Sequence, residues 1–198
     1  CFVSPPSKVA TTTGTPPLEL AYLAAFLRKN GYKTISIIDG FGEAPFKTVL
    51  NGDFELRGLS NEDILERIPK GARIIGFSCL FSKDWINLKH LINHVKARFP
   101  EAITVLGGEH ATATTAHCFD SCPGLDFIIR GEGEIPFLKL VEYISNNKGE
   151  LAQVDGLVYR TSNGLIENPG KRNRAPDLLP WPAWDLVPVN NYLDNGFA

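Results

Sequence analysis

The chain has 198 residues, room for one domain and an extension at roughly 150 residues per domain. Its 43% hydrophobic and 21% charged content are globular values, which exclude a disordered tail or a fibre. Lys and Arg number 20 against 22 Asp and Glu, and the formal charge of -2 offers no strong field to nucleic acid or an anionic membrane surface.

The longest unbroken apolar run, 20–27, falls well short of the roughly 20 residues a membrane span needs. Cys1-Phe2-Val3 is followed at once by Pro5-Pro6, which does not read as a signal peptide. Four cysteines, Cys1, Cys79, Cys118 and Cys122, make no disulfide framework, so a reduced, cytoplasmic protein is expected. The absence of Met and a three-residue first apolar stretch suggest an excised fragment whose first strand lacks its opening residues.

In chain order, apolar runs of strand length alternate with stretches of helical period, the rhythm of βαβ units around a parallel sheet. Strands are expected at 1–4, 34–39, 73–79, 103–106 and 127–130. They lack clean alternation, as strands covered on both faces do. A helix over 18–30 carries Leu20, Leu23, Ala24 and Leu27 on one face and stops at Gly31. Ser60 or Asn61 caps a short helix through Ile64, Leu65 and Ile68. A third helix over 84–99 stripes Leu88, Leu91, Ile92, Val95 and Phe99 and ends before Pro100. A fourth begins near Ala111, and a fifth has Pro136 in its first turn.

This pattern predicts an α/β, flavodoxin-like (Rossmann-like) fold with a five-stranded parallel sheet of order 2-1-3-4-5. Such sheets bind ligands beyond the carboxyl ends of the strands, near the switch between strands 1 and 3. The α/β domain is expected over 1–150. A β-hairpin extension over 151–170 follows, turning at Ser162-Asn163-Gly164. Residues 171–198 read as a linker, because four prolines over 176–188 oppose helix and favour extended chain. Trp181 and Trp184 suggest that it lies along a surface.

Several strand ends carry candidate chemistry. Gly107-Gly108 places no Cβ between the end of the fourth strand and an approaching ligand; a tight turn is the alternative. If a ligand lies there, Gly108→Val weakens binding without unfolding the sheet. Ser78-Cys79-Leu80 offers a hydroxyl and an apolar side chain after the third strand. Gly131-Glu132-Gly133-Glu134 permits an unusual backbone ahead of a helix.

The Thr11–Pro17 loop presents hydroxyls before a helix, as phosphate loops do, but Pro16 stands where a flavodoxin loop has its last Thr. No G-x-G-x-x-G is present. Cys118 and Cys122, near His110 and His117, lack a second ligand pair, and Leu125 stands where a third cluster cysteine would fall. His90 and His94 lie opposite the apolar stripe on a solvated face, and Asp39 reads as a turn residue. An FMN-binding electron carrier and a ligand-free interaction domain stand as alternatives to any larger-ligand reading.

The ordered set Pro5-Pro6, Pro17-Leu18-Glu19-Leu20-Ala21-Tyr22-Leu23, Ile75-Gly76-Phe77-Ser78, Leu106-Gly107-Gly108-Glu109-His110-Ala111-Thr112, Arg130-Gly131-Glu132-Gly133-Glu134 and Leu179-Pro180-Trp181-Pro182-Ala183-Trp184-Asp185 is more specific than any one piece. It closely resembles the N-terminal cobalamin-binding domain of cobalamin-dependent radical S-adenosylmethionine enzymes. Methyltransferases and magnesium-protoporphyrin monomethyl ester oxidative cyclases belong to that group.

The resemblance implies a cobalamin site drawn from Thr13, Gly14, Thr15 and Pro16, lying under the ring, from Ser78 and Leu80 at the tail or corrin edge, and from Phe81. Gly107 and Gly108 would admit the nucleotide tail, with His110, Gly131, Glu132 and Gly133 completing the site. It implies histidine-off cobalamin, because the first loop lacks the Asp-x-His-x-x-Gly of other cobalamin modules. The iron–sulfur cluster and S-adenosylmethionine would belong to a radical domain of the same polypeptide outside this chain, whose Cys-x-x-x-Cys-x-x-Cys has no match here. A small-molecule substrate would be the further partner.

Overall fold

A computed structural model describes residues 1–8, 14–51, 54–171 and 179–197. In chain order the strands are β1 (Phe2–Ser4), β2 (Ser7–Lys8), β3 (Ile37–Asp39), β4 (Thr48–Asn51), β5 (Phe54–Arg57), β6 (Ile74–Ser78), β7 (Ile103–Gly107), β8 (Phe127–Ile129), β9 (Leu157–Thr161) and β10 (Gly164–Glu167). The helices are α1 (Leu18–Lys29), α2 (Asn61–Arg67), α3 (Ser82–Arg98), α4 (Glu109–Ala113), α5 (Thr115–Ser121), α6 (Glu134–Asn146) and α7 (Val189–Leu193).

The main sheet has seven strands in the order β10-β9-β8-β7-β6-β1-β3. It is mostly parallel: β9 pairs antiparallel with both β8 and β10. The expected count of five is thereby corrected. The hairpin does not stand apart, because an uncovered β8 edge presents unpaired N–H and C=O groups, and β9 satisfies them.

Helices cover both faces, and adjacent strand residues go to opposite cores. Val3, Ile38, Leu106, Ile128 and Val158 pack with Ile64 of α2 and with Leu88, Leu91, Ile92 and Val95 of α3. Their neighbours Phe2, Ile37, Val105, Ile129 and Leu157 pack with Leu20, Ala21 and Ala24 of α1 and with Phe137, Leu140 and Val141 of α6. This two-sided burial is why these strands read as unbroken apolar runs. Ser60 caps α2 through a reciprocal box with Asp63.

The sequence reading missed a second, antiparallel sheet of order β2-β5-β4. It lies beside the end of β3, where Gly58 (φ +128°) brings its backbone close to Gly40 and Leu59 N–H donates to Gly40 C=O at 2.6 Å. The single helix expected near Ala111 is two, α4 and α5, broken at Thr114.

The C-terminal segment also departs from an extended linker. Residues 176–178 lie outside the described set. From 179 onward the chain forms a 3-10 turn at Trp184–Leu186 and then α7, with Pro188 at the N-cap, where a missing N–H costs nothing. This strap docks on the sheet domain. Ala183 N–H donates to Ala21 C=O, Ala183 and Val187 join the α1/α6 core, and Tyr192 is buried against β3. Trp181 remains 90% exposed. Among the described residues no helix is long and apolar enough to cross a membrane.

Candidate functional site

A cleft of about 770 Å³ opens beyond the carboxyl ends of the central strands, between the sheet and the α1/α6 layer. Its floor is apolar: Phe2, Gly76, Val105 and Ile129 from four parallel strands, flanked by Leu20 and Leu23 of α1 and Phe137 of α6. The volume suits a drug- or nucleotide-sized ligand. Gly76 lets the Phe2 and Phe137 rings pack 5.1 Å apart, since a Cβ there would fall 2.8 Å from the Phe2 ring.

Strand ends form the mouth. Ser78 is in register with Gly107, and Cys79 N–H donates to Gly107 C=O. The two glycines play different parts. Gly108 has φ +100°, and a Cβ on it would lie 2.5 Å from the Cys79 carbonyl oxygen. Its glycine is demanded by the turn, so the expectation that Gly108→Val spares the fold is withdrawn. A Cβ on Gly107 would meet only Ile129 O, at 3.9 Å, so that position is open toward the cleft. Gly131 (φ +74°) donates its N–H to Thr112 Oγ1, tying the loop after β8 to α4, and Gly133 caps α6 against Leu23.

Of the residues singled out in the sequence, the cleft brings together Ser78, Leu80, Gly107, Gly108, Gly131, Glu132 and Gly133. Gly14, Thr15 and Pro16 do not line it; Gly14 sits against the Phe41 ring. Thr11, Thr12 and Thr13 lie outside the described residues. Phe81 is 61% exposed, away from the cleft, with the Lys83 ammonium 5.5 Å from its ring centroid.

His110 is also outside the cleft. It is buried under α3, with Nδ1 2.8 Å from Ser82 Oγ, Nε2 3.2 Å from Thr114 Oγ1, and its ring 5.4 Å from Trp85. Burial, then the nearby His117, holds its pKa below the usual imidazole value, so it is a neutral brace between the loops after β6 and β7.

The sequence reading overlooked Glu19, which lines the cleft from the first turn of α1 and accepts a hydrogen bond from Ser78 Oγ at 2.9 Å. An acidic residue in a helix's first turn is ordinary, which hid this one. Arg130 and Lys171 add positive charge to the wall; Arg130 also holds Glu167 and Asn168, and Lys171 pairs with Asp155.

No group of three His, Cys, Asp or Glu among the described residues is arranged to hold a metal ion. Cys79 and Cys122 are pushed up to about 12 by burial, and Cys118 is raised by the same cause. His90 and His94 are exposed.

The B12 binding domain family matches residues 9–141 of the chain. Cytidylyl-2-hydroxyethylphosphonate methyltransferase of Streptomyces wedmorensis is 32% identical over 206 residues, covering 91% of this chain and 38% of that protein. An uncharacterized methyltransferase of Pyrococcus horikoshii is 32% identical over 194 residues, covering 96% of this chain and 38% of its own length. The chain therefore spans well under half of these curated relatives. Among solved structures, the cobalamin-dependent S-adenosylmethionine radical enzyme OxsB, with aqua-cobalamin and S-adenosylmethionine bound, aligns with a TM-score of 0.75. That alignment covers 98% of this chain and 25% of the enzyme at 17% identity, a likeness of fold.

Proposed function

Because the chain belongs to the B12 binding domain family, we propose that it holds a corrinoid with the nucleotide tail in the cleft. It would present the ring to a radical S-adenosylmethionine domain of the same polypeptide, for methyl transfer or oxidative cyclisation of a small molecule. The observation that carries this reading is the cleft itself: an apolar slot at the carboxyl ends of parallel strands, left open at Gly107 where any other residue would place a Cβ.

The residues fit the group. A flat base and its sugar need apolar walls and close backbone approach, and Leu20, Leu23, Val105 and Phe137 supply the walls while Gly107 and Gly131 supply the approach. Ser78 offers a polar contact, and Arg130 and Lys171 supply positive charge for the tail's phosphate. When bound, the corrinoid supplies the cobalt chemistry of methyl or electron transfer; the chain supplies position and a dry, low-dielectric surround.

None of the four histidines lines the cleft, and the 9–13 loop contains none. The cobalt is therefore expected to be held without a protein imidazole and with its own base displaced. Titration with hydroxocobalamin should give a saturable corrinoid spectrum, and electron paramagnetic resonance of the cob(II)alamin form should show no axial nitrogen splitting. A nitrogen superhyperfine pattern would refute the histidine-off state. Binding of FMN in place of corrinoid would refute the reading altogether.

A further inference from the structure

Arg130 comes directly after β8, and its side chain is held by residues beyond 141, where the family match ends. Nη1 donates to Glu167 Oε2 and Nη2 to Asn168 C=O, each at 2.8 Å, while the Arg130 backbone N–H donates to Gly156 C=O. Asn168 is itself fixed. Its side-chain amide donates to Leu151 C=O and Val154 C=O, and its backbone N–H to Leu157 C=O. The end of the β9–β10 hairpin thus clamps the guanidinium.

A guanidinium carries five N–H donors. The clamp engages Nη1 and Nη2 only. Nε is buried with no acceptor among the described residues, and leaving a charged donor unmet inside a fold is costly. The side chain lines the cleft and is 27% exposed, so a ligand there can reach it. Resting on the cobalamin reading above, we propose that Arg130 is a specificity-determining residue that reads the phosphodiester of the corrinoid tail, with Glu167 as its positioning residue. The hairpin is then a working part of the site, although it lies outside the matched family segment.

Charge and geometry single out that group. Glu19, Glu109, Glu132 and Glu134 also line the cleft, so an anion finds attraction only beside Arg130 and Lys171. Lys171 is 78% exposed and shares Asp155 with Lys139, which leaves it the weaker of the two. The phosphodiester is the fixed anion of a cobalamin tail, whereas its sugar hydroxyls and the corrin amides are neutral. The planar arginine fork matches phosphate oxygens, and a fork already clamped loses less freedom on binding.

The test is equilibrium dialysis of the 198-residue chain against three methylated corrinoids, read by corrin absorbance. Methylcobinamide has neither phosphate nor base, methylcobinamide phosphate adds the phosphate alone, and methylcobalamin has both. The wild-type chain should bind cobinamide phosphate about tenfold or more tighter than cobinamide, the scale of one charge-assisted hydrogen bond. Arg130→Gln should erase that difference and leave cobinamide affinity unchanged. Arg130→Lys keeps the charge but loses the fork, and should recover only part of it. Glu167→Ala, at a half-exposed position, releases Nη1 and should shrink the phosphate preference without touching cobinamide.

Equal wild-type affinity for cobinamide and its phosphate, or a phosphate preference that survives Arg130→Gln, overturns the assignment of Arg130. A loss shared equally by all three corrinoids in that variant overturns it as well, because it marks a damaged cleft rather than a lost phosphate contact. A full phosphate preference in Glu167→Ala overturns the role of the hairpin. Failure of every corrinoid to bind the wild-type chain overturns the cobalamin reading, and this inference with it.

Discussion

Gly107→Val is expected to leave the chain folded and to weaken corrinoid binding about tenfold or more, the equivalent of the ~1–3 kcal/mol that overpacking costs. Gly107 sits on β7 with ordinary extended backbone, where a β-branched residue is at home, and its Cβ would clear every neighbour. The two added methyls would stand in the cleft. Gly108→Val, one residue on, is expected to do the reverse and cost at least about 2–3 kcal/mol of stability through the strained φ and the Cys79 carbonyl. Urea denaturation of both variants, beside corrinoid titration, separates the cases. Full affinity in a folded Gly107→Val variant would show that no tail lies at that strand end.

The contrast between these glycines also shows where sequence reasoning reaches its end. Two glycines after an apolar run announce close approach, but not which of them faces the ligand and which serves the turn. That depends on the sign of one φ angle. Strand ends were legible because both-sided burial leaves uninterrupted apolar runs, so Ser78, Leu80, Gly107 and Gly131–Gly133 could be placed without coordinates.

Glu19, Phe2 and Leu23 were not legible, since they reach the cleft only through how α1 crosses β1 and β6. The Asn163-Gly164 turn announced a hairpin, whereas its attachment to β8 is a long-range choice that no local pattern encodes. The small sheet was overlooked although Asn51-Gly52-Asp53 is a hairpin signal between Val49 and Leu56.

The second large effect lies at the strap. Asp39, at the end of β3, serves the turn that its place in the sequence suggests: its Oδ1 accepts from Gly42 N–H at 2.9 Å. Its Oδ2 accepts from the Tyr192 hydroxyl at 2.7 Å, 153 residues along the chain, and the carboxyl is only 1% exposed. Burial pushes the Asp39 pKa up to about 6; hydrogen bonds from Gly42 and Tyr192 pull it down, and the charge of Glu43 adds a smaller upward push. The Tyr192 phenol is raised, first by burial and then by Asp39.

The folded chain therefore holds the Asp39 proton more tightly than the unfolded chain. Stability should fall as pH climbs from about 4 to about 6, by about 3 kcal/mol, and stay at the lower level above that window. Asp39→Asn should abolish this slope and raise stability at neutral pH: its amide oxygen can still accept from Gly42, and its NH₂ can donate to a rotated Tyr192 hydroxyl. Tyr192→Phe should cost about 1–3 kcal/mol at neutral pH, where it strips a donor from a buried carboxylate, and less in acid, where the carboxyl is neutral.

The gap between wild type and Tyr192→Phe should consequently widen with rising pH, while the gap to Asp39→Asn grows in the opposite sense. Urea midpoints across that range read both at once. A wild-type curve parallel to Asp39→Asn would mean that Asp39 ionises without cost and that the strap's stability rests on its other ties, the Ala183 N–H to Ala21 C=O and Asn191 to Gly42 C=O hydrogen bonds and the apolar contacts at Ala183 and Val187. If the slope is found, the fold is least stable where the buried Asp39 carboxylate is charged, and the Tyr192 hydroxyl of the strap is what makes that charge tolerable.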